Sequence, residues 1–548
     1  MTETYTEQLV RKRVYPDGRT EEVPLEKWDQ PLVFKSQILD NVHGFISYTE
    51  AEKKIMDTLQ FKRLQSIKQL SVVNWVFPGS EHTRYIHSLG VMHIADKMAI
   101  SMRLSNRERR ILRMAGLLHD IGHYPLSHVG EFPYKKACSK EEMEAADPAA
   151  FCRAVNEKVV RDIDVLALRK ETELMEGSNG LHHEAVGAEI IKSNPDIRKI
   201  VEDELGEGAA EIIADIITGN VDSEETDELK RTDPLWVQIM HSELDADGID
   251  YIMRDSASAG TNFGACEIDQ LIRCLRVGKL EDGTRIMCIK PKGIPAADQY
   301  LINKFFHYSQ VVFNRHIVIC ELMAMKVISW MRYHNCIFPD VNKMKEWMYN
   351  GGTDGYLGFT DDMFWNALAK LKNDEQAPEH IRLFCEYLLR HDEPGVAKEH
   401  EIRIVSRVGR GEEEKEIIGR VKKRLSESDT YQNHETHREW LTVLENRCMT
   451  KQIPEVEFAK LVRQIHREEM EKLGEIDEEE LDAEVARALR QRKMECICVR
   501  EHIEYDEQGR EKPHVLRVLC DDERSIMQDC YDKTLLILRS YKYPQQQK

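Results

Sequence analysis

Apolar residues recur at helical spacing from about residue 48 onward, and this periodicity constrains the fold more than any other feature. In TEAEKKIMDTLQFKRLQSIKQL, residues such as Ile55 and Leu59 follow the 3.6-residue period of one helix face. We predict one helix over this stretch, beginning at a capping box of Thr49 and Glu52. The stretches HSLGVMHIADKMAISM, NRERRILRMAGLLHD and DADGIDYIMRDSA predict further helices, the second of them capped by Asn106.

Other segments predict strands near both ends of the chain. Residues 3–30 are predicted to form a β-hairpin, because YTEQLVRKRV and TEEVPL flank the turn sequence YPDGR. Near the C-terminus, MECICVREHI and HVLRVLC predict a second hairpin, followed by a helix in RSIMQDCYDKTLLIL. The charged stretch 409–495 retains recurring apolar positions, which predicts solvated helices. The predicted fold class is mainly α: a helical core with an N-terminal β-hairpin and a smaller α+β C-terminal region.

A chain of 548 residues is too long for one compact core, so several structural regions are expected. We predict an N-terminal hairpin extension over residues 1–34, a helical catalytic domain over 35–340, and a helical and α+β region over 341–548. The polar stretch from about residue 132 to 180 is interpreted as an insertion in the catalytic domain.

Composition limits the classes of partner. A formal net charge of −20 disfavours broad binding to nucleic acid, although it permits a small basic pocket for one nucleotide. The 13 cysteines include no CxxC pair, which indicates free thiols in a reducing cytosol. The N-terminus lacks the apolar core of a signal peptide, and no apolar run is long enough to span a bilayer. We therefore expect a cytoplasmic protein without a membrane partner.

Two histidines and two aspartates predict a metal site. His87 lies in RYIHSLGV, His119 and Asp120 in GLLHDIGH, and Asp247 in LDADGIDY. Imidazole nitrogen and carboxylate oxygen suit a divalent metal such as Mn, Fe, Ni or Zn, with Mg as a further candidate. Adjacent side chains point about 100° apart on a helix, so His119 and Asp120 can share one ion only near a helix end. Four such ligands leave coordination positions open for water and a phosphate oxygen, as a catalytic site requires.

The stretch SELDADGIDYIMRDS adds a second line of side chains. Asp247, Tyr251 and Asp255 are four residues apart, which places them along one helical face that could line a ligand cleft. The same spacing also fits an acidic, solvated face. Asp245 and Asp250 lie on other faces and are interpreted as caps or salt-bridge partners.

Five motifs follow one another along the chain: DNVHGFISY, IMDTLQFKRLQSIKQL, VFPGSEHTRYIHSLGV, LLHDIGHYPLSH and DGIDYIMRDS. Together they resemble the HD-domain phosphohydrolases and, among them, the deoxynucleoside triphosphate triphosphohydrolases, over about residues 35–335. The resemblance implies metal-dependent hydrolysis of a deoxynucleoside triphosphate to nucleoside and inorganic triphosphate, by attack of water on the α-phosphate. It also implies a nucleotide activator and a homo-oligomer, with a tetramer favoured.

The resemblance assigns roles to individual residues. It implies metal ligands at His87, His119, Asp120 and Asp247. It implies catalytic or phosphate-contacting histidines at His123, His128 and His183, without deciding whether His123 or His183 protonates the leaving group. It implies substrate contacts at Gln69, Leu70, Arg84, Tyr251, Asp255 and Lys304.

Some positions depart from the family pattern. Gly248 stands where the animal family member has a lysine beside the metal aspartate, and Lys304 is aligned with an arginine. At the activator site Asp57 is retained, whereas Lys62 and Gln65 replace a glutamine and an arginine. Two other functions stay open: an HD-type phosphodiesterase or nuclease, and a nucleotide-binding regulator without turnover.

Overall fold

The computed structural model describes most of the chain. The described residues are 10–14, 20–24, 27–135, 182–221, 231–334, 338–339, 343, 346, 354–391, 398–407, 440–450, 452–473, 478–501, 515–531 and 533–542. The YPDGR turn and almost all of the interpreted insertion lie outside these residues.

Two hairpins precede the helices. Strands β1 (Val10–Val14) and β2 (Thr20–Pro24) pair antiparallel, which confirms the N-terminal β-hairpin. Strands β3 (Phe34–Asp40) and β4 (Gly44–Thr49) form a second antiparallel pair that was not predicted. Its turn requires a left-handed backbone at Gly44 (φ +72°), which glycine adopts without steric cost.

The fold is mainly α, as predicted. The first helices are α1 (Glu50–Asp57), α2 (Leu59–Lys62), α3 (Arg84–Ser101), α4 (Asn106–Leu118), α5 (His128–Lys135), α6 (His183–Ser193), α7 (Pro195–Leu205), α8 (Ala209–Thr218), α9 (Pro234–Met240) and α10 (Ala246–Ala259). They are followed by α11 (Ile268–Cys274), α12 (Ile294–His307), α13 (Arg315–Tyr333), α14 (Asp354–Leu357), α15 (Asp361–Leu371), α16 (Glu379–Arg390), α17 (Glu455–Leu473), α18 (Glu478–Glu495) and α19 (Met527–Cys530).

Two helix predictions were wrong in detail. The helix predicted over TEAEKKIMDTLQFKRLQSIKQL is interrupted at Thr58, whose extended backbone ends α1 and whose side chain caps α2. The capping box at Thr49 is confirmed. Helix α4 is capped by Ser105, because its hydroxyl accepts from the Glu108 amide and Glu108 bonds back to Ser105. Asn106 is therefore the first helical residue instead of the cap.

Two larger sheets involve the C-terminal half. Strands β5 (Leu275–Lys279) and β6 (Arg285–Ile289) join β9 (Cys498–Arg500) and β10 (Leu516–Val518) in the order β10-β9-β6-β5. The β9–β10 pair confirms the second predicted hairpin. Because β6 pairs with β9, this sheet joins segments from both sides of the boundary predicted at residue 340.

The predicted final helix was wrong over most of its length. Only the short α19 is helical, and the apolar run TLLIL lies in strand β11 (Lys533–Lys542). That strand is the centre of a three-stranded sheet, between β7 (Lys398–Arg407) and β8 (Trp440–Cys448). A short apolar run fits a buried strand as well as a helix, and pairing on both edges decides for the strand here.

Most of the buried apolar residues that the structure describes form one continuous core. One hydrophobic cluster extends from Ile46 to Met527. Within it, α3 packs against both α4 and α10 and brings three of the predicted site segments together. The nine cysteines whose side chains the structure describes are free thiols. Among the described helices, none has the length and apolar character needed to cross a membrane.

A buried arginine joins three elements of this core. Arg113 on α4 is 1% exposed and donates to both oxygens of Glu52 on α1, at 2.6 and 2.8 Å, and to Asp96 on α3 at 3.0 Å. Glu52 is also the acidic member of the α1 capping box. Arg109, one turn away, pairs with the same Asp96 from a more exposed position.

Replacing Arg113 should therefore destabilise the fold far more than replacing Arg109. We expect Arg113→Met to lower the free energy of unfolding by about 3–5 kcal/mol, because it leaves Glu52 and Asp96 buried without their cation. Arg109→Met should cost less than about 1 kcal/mol. Urea unfolding followed by circular dichroism measures both, and equal losses would contradict this account.

Candidate active site

The four predicted metal ligands meet at one point in the helical core. His87 lies on α3, His119 is the C-cap of α4, Asp120 follows it, and Asp247 lies in the first turn of α10. His87 Nε2 is 2.9 Å from Asp247 Oδ1 and 3.8 Å from Asp120 Oδ2. His119 Nε2 is 3.4 Å from Asp120 Oδ1 and 3.9 Å from Asp247 Oδ1. The helix end at Leu118 is what allows two consecutive side chains to share this point.

Both histidines are oriented through the nitrogen that faces away from the centre. His87 Nδ1 lies 2.7 Å from Asp250 Oδ2, and His119 Nδ1 lies 2.8 Å from the Gly116 carbonyl oxygen. With Nδ1 donating to these acceptors, the Nε2 lone pairs point at the centre. Both Nε2 atoms are buried and make no aligned hydrogen bond. Two such nitrogens beside two carboxylates fit a divalent cation.

The carboxylate of Asp250 organises the layer behind these ligands. It pairs with His43, His87 and Arg254, and Arg254 also bonds Asp40 at 2.8 Å. Burial would raise the pKa of Asp250, but the Arg254 charge and the two histidines hold it well below its usual range. The prediction that Asp250 is a salt-bridge partner is confirmed.

Close packing in this layer constrains the backbone of α3. Gly90 stands directly against Asp250, and a Cβ at that position would collide with Asp250 Oδ1 and crowd Arg254. The glycine therefore lets α3 approach α10 closely enough for His87 to reach both Asp250 and Asp247.

The electrostatic field at the centre is negative. Burial alone would lower the pKa of His87, yet the close contact with the Asp247 carboxylate, the hydrogen bond to Asp250 and the charges of both raise it to about 10. The pKa of Asp247 lies near 2, because the interactions with His87 and His119 outweigh its burial. A field that stabilises positive charge so strongly is the one that a bound cation requires.

Three further histidines form a second cluster beside Asp120. The rings of His123 and His183 are stacked with centroids 4.1 Å apart, and His128 lies edge-on to both. Asp120 Oδ1 is 3.8 Å from His123 Nε2 and 4.0 Å from His183 Nε2. The structure thus brings the three predicted catalytic histidines together, next to the metal ligands.

A buried glutamate orients two of these rings. Glu131 on α5 is 1% exposed, and its two oxygens each lie 3.0 Å from an Nδ1 atom, one of His128 and one of His183. Each ring therefore presents Nε2 as its remaining nitrogen. Sequence reasoning missed Glu131, although a carboxylate three residues after His128 on a helix is a signal that could have found it.

The stacked histidines differ in electrostatic environment. Burial and the nearby charge of Arg84 hold the pKa of His123 well below its ordinary value. For His183 burial acts in the same direction, but Glu184 and Glu131 outweigh it and raise the pKa. One cluster therefore offers an imidazole that stays neutral beside one that favours the protonated form.

Arg84 connects the metal ligands to this cluster. It is the first residue of α3, is 4% exposed, and donates from Nη1 to Asp120 Oδ2 at 2.8 Å. Its Nε donates to Ser127 Oγ at 3.0 Å. These two bonds fix a buried guanidinium beside the Asp120 carboxylate, where it could bind a phosphate group.

The remaining predicted substrate residues form a separate group along α10 and α12. Asp255 accepts from His82 Nε2 at 2.9 Å and from His307 Nε2 at 2.8 Å, and the Tyr251 and His307 rings are 5.3 Å apart. The backbone amide of Gln69 donates to the backbone carbonyl of His82 at 3.0 Å, which links the segment of Gln69 and Leu70 to this group. Sequence reasoning missed His82 and His307.

Lys304 approaches the first turn of α10. Its Nζ donates to the Glu243 carbonyl at 3.2 Å and lies 5.8 Å from the centre of the Tyr251 ring. A Cβ on Gly248 would collide with the Tyr300 hydroxyl and with Asp245 Oδ1, and the Lys304 ammonium is 3.5 Å from the point that this Cβ would occupy. A cation thus lies directly beside the residue that follows Asp247.

The Asp250 contacts generate a test of the metal centre. Asp250→Asn should weaken divalent metal binding about 10- to 100-fold, because an amide can no longer hold the His87 ring through a charged acceptor. Isothermal titration with Mn²⁺ measures the affinity. Asp269→Asn, which alters an exposed aspartate paired with Lys97, is the matched control and should bind metal like the original protein. Unchanged affinity in Asp250→Asn would contradict the role given to Asp250.

Comparison with known proteins places these residues in a family. Residues 84–163 match the family model of the HD domain. Over 136 residues, 23% of either chain, the protein is 35% identical to the deoxynucleoside triphosphate triphosphohydrolase SAMHD1 of Bos taurus. Over 311 residues, 56% of this chain, it is 27% identical to the uncharacterized protein MJ1154 of Methanocaldococcus jannaschii. It spans only 53% of that relative's length.

Solved structures share the fold over nearly the whole chain. A hypothetical protein from Aquifex aeolicus aligns with a TM-score of 0.58 at 19% identity, covering 93% of this chain and 96% of the other. A phosphohydrolase from Bacteroides thetaiotaomicron, BT4208, aligns with a TM-score of 0.52 at 17% identity, covering 92% and 99%. At these identities the likeness concerns the fold. Residues 84–163 thus match the HD domain, and the consecutive His119 and Asp120 of that segment lie at the end of α4.

Proposed function

We propose that the protein hydrolyses deoxynucleoside triphosphates to a nucleoside and inorganic triphosphate, in a reaction that depends on a divalent metal. The observation that carries the proposal is the position of Asp120, which lies between the metal-ligand set, the Arg84 guanidinium and the histidine cluster. A phosphate that reaches the metal would therefore also reach a cation and several proton-transferring groups.

His87, His119, Asp120 and Asp247 would hold the metal. When bound, a divalent ion polarises a phosphoryl oxygen and lowers the pKa of a coordinated water, which favours attack on phosphorus. Arg84 binds a phosphate oxygen and stabilises the charge that develops during the reaction. Ser127 keeps that guanidinium from rotating away, because it accepts from Arg84 Nε.

The histidine cluster donates the proton that the leaving group requires. Departure of a nucleoside 5′-oxygen requires a proton, which a positioned imidazole can donate. His128 and His183 are both held through Nδ1 by Glu131 and so transfer protons through Nε2. His123, buried and beside Arg84, is the neutral member; its Nδ1 accepts from the Tyr124 backbone amide, so its Nε2 donates a hydrogen bond to substrate or water.

The group on α10 and α12 binds the nucleoside. Gln69, Leu70, Tyr251 and Asp255 contact the sugar, as the family resemblance implies. Lys304 supplies a positive charge beside Gly248, the position at which the animal family member has a lysine, so the charge comes from α12 instead of α10. A homo-oligomer, with a tetramer favoured, and a nucleotide activator are further parts of the proposal.

Product analysis tests the reaction directly. The purified protein with Mn²⁺ is incubated separately with the four deoxynucleoside and four ribonucleoside triphosphates, and products are resolved by ion-pair chromatography. We expect nucleoside plus triphosphate from deoxynucleotides, and no reaction in the variant Asp120→Ala. Nucleoside monophosphate or diphosphate as product would contradict the proposed reaction. Binding without turnover would favour the regulator.

Replacing Glu131 tests the histidine cluster separately. Glu131→Gln should lower kcat about 100-fold or more, because a neutral amide cannot hold both imidazoles in the proton-transferring orientation. Metal content, measured by plasma mass spectrometry, should stay at the original level, since Glu131 is outside the metal-ligand set. Glu189→Gln on α6 carries the same charge change at the surface and should leave kcat unchanged. A Glu131→Gln variant with the original kcat would contradict the assignment.

A further inference from the structure

The segment between the catalytic histidines has a strained backbone. Leu126 and Ser127, neither of them glycine, both adopt left-handed conformations, with φ of +57° and +56°. Such conformations are disfavoured for residues with a Cβ and persist only where surrounding contacts enforce them. The turn lies between His123 and His128, so whatever holds it also sets the spacing of the histidine cluster.

A carboxylate from a distant part of the chain holds this turn. Asp361, the first residue of α15, is 6% exposed. Its Oδ1 accepts from the Leu126 amide at 2.7 Å and its Oδ2 accepts from the Lys68 amide at 2.9 Å. One buried group thus ties the strained turn to the residue that precedes Gln69.

The same two segments meet again at Arg84. Ser127 Oγ donates to the Lys68 carbonyl at 2.6 Å and accepts from Arg84 Nε at 3.0 Å. The backbone of Lys68 therefore contacts the turn twice. Its carbonyl oxygen accepts directly from Ser127, and its amide is linked to the Leu126 amide through the Asp361 carboxylate. The position of the Ser127 hydroxyl, and with it the Arg84 guanidinium, depends on this closed set of bonds.

A second contact from the same region holds the other end of the turn. Arg63 donates from Nη2 to the carbonyls of Ile121, at 3.1 Å, and His123, at 2.6 Å. Its Nη1 donates to the Phe359 carbonyl at 2.7 Å, two residues before Asp361. Residues 359–361 thus bond the active-site segment directly at Leu126 and, through Arg63, at Ile121 and His123.

We infer that Asp361 is a positioning residue of the phosphate site, which acts through the turn at Leu126 and Ser127 to place Arg84. The inference rests on the proposed role of Arg84 in phosphate binding. Asp361 touches neither the metal ligands nor the histidine rings directly, so its loss should weaken polyphosphate binding and leave metal binding intact.

The ionisation of Asp361 supports this role. Burial raises its pKa to about 6, while the two amides and Lys68 act in the opposite direction and Asp362 adds to the rise. At neutral pH the group is therefore a carboxylate, with both oxygens able to accept from the backbone. An asparagine offers one acceptor oxygen and one NH₂ donor, so it can satisfy only one of the two amides.

Binding of inorganic tripolyphosphate to the Mn²⁺-loaded protein tests the inference without requiring turnover. Isothermal titration should show an affinity at least about tenfold weaker in Asp361→Asn, with unchanged Mn²⁺ content. Hydrogen exchange should accelerate at whichever of the Leu126 and Lys68 amides loses its acceptor. Asp362→Asn removes the neighbouring, exposed carboxylate and should match the original protein in all three measurements.

The outcomes separate this inference from the proposed reaction. Original affinity for tripolyphosphate in Asp361→Asn would overturn the positioning role, whether or not deoxynucleotides are hydrolysed. Weakened affinity in a protein that hydrolyses no deoxynucleotide would support the role and contradict only the reaction. If Asp361→Asn does not fold, Ser127→Ala decides: it removes the hydroxyl between the turn and Arg84, and original affinity there would equally overturn the inference.

Discussion

A single buried carboxylate, that of Asp120, connects the two halves of the active site. One oxygen faces Arg84 and His87, and the other faces His119, His123 and His183. A carboxylate 1% exposed is stable only where positive charge or hydrogen-bond donors surround it, and the Arg84 charge is the largest of these contributions. The arrangement of helices α3 and α4 therefore has to satisfy Asp120 before any ligand arrives, and this requirement places Arg84 beside the four predicted metal ligands.

Much of this arrangement could be predicted from sequence, for a local reason. His119 and Asp120 are consecutive, and the helical period itself dictates that they can meet only at a helix end, where the structure has them. Asp247, Tyr251 and Asp255 follow one another along α10 for the same geometric reason. Their roles in substrate binding remain predictions.

Residues that act across the chain could not be predicted. Asp361 lies 235 positions from Leu126, and Arg63 lies 296 positions from Phe359, so no local period relates them. The helix predicted over the segment of β11 is wrong for the same reason: the partner strands β7 and β8 are remote in sequence, and the run TLLIL is too short for its periodicity to distinguish a helix from a strand. By contrast, two of the missed residues have local signals in the sequence. Glu131 follows His128 by three residues on one helix, and Ser105 precedes Glu108 by three residues, which is the spacing of a capping box.

The pairing of β6 with β9 determines what happens when the chain is truncated between these two strands. Strand β6 belongs to the segment that carries the site, and its outer neighbour comes from more than 200 residues later. A shortened chain that ended near residue 340 would leave the backbone amides and carbonyls along one edge of β6 open to solvent. An open edge of this kind, beside buried residues such as Ile286 and Ile289, is a surface onto which strands of other molecules can add, so the first consequence of such a cut would be self-association.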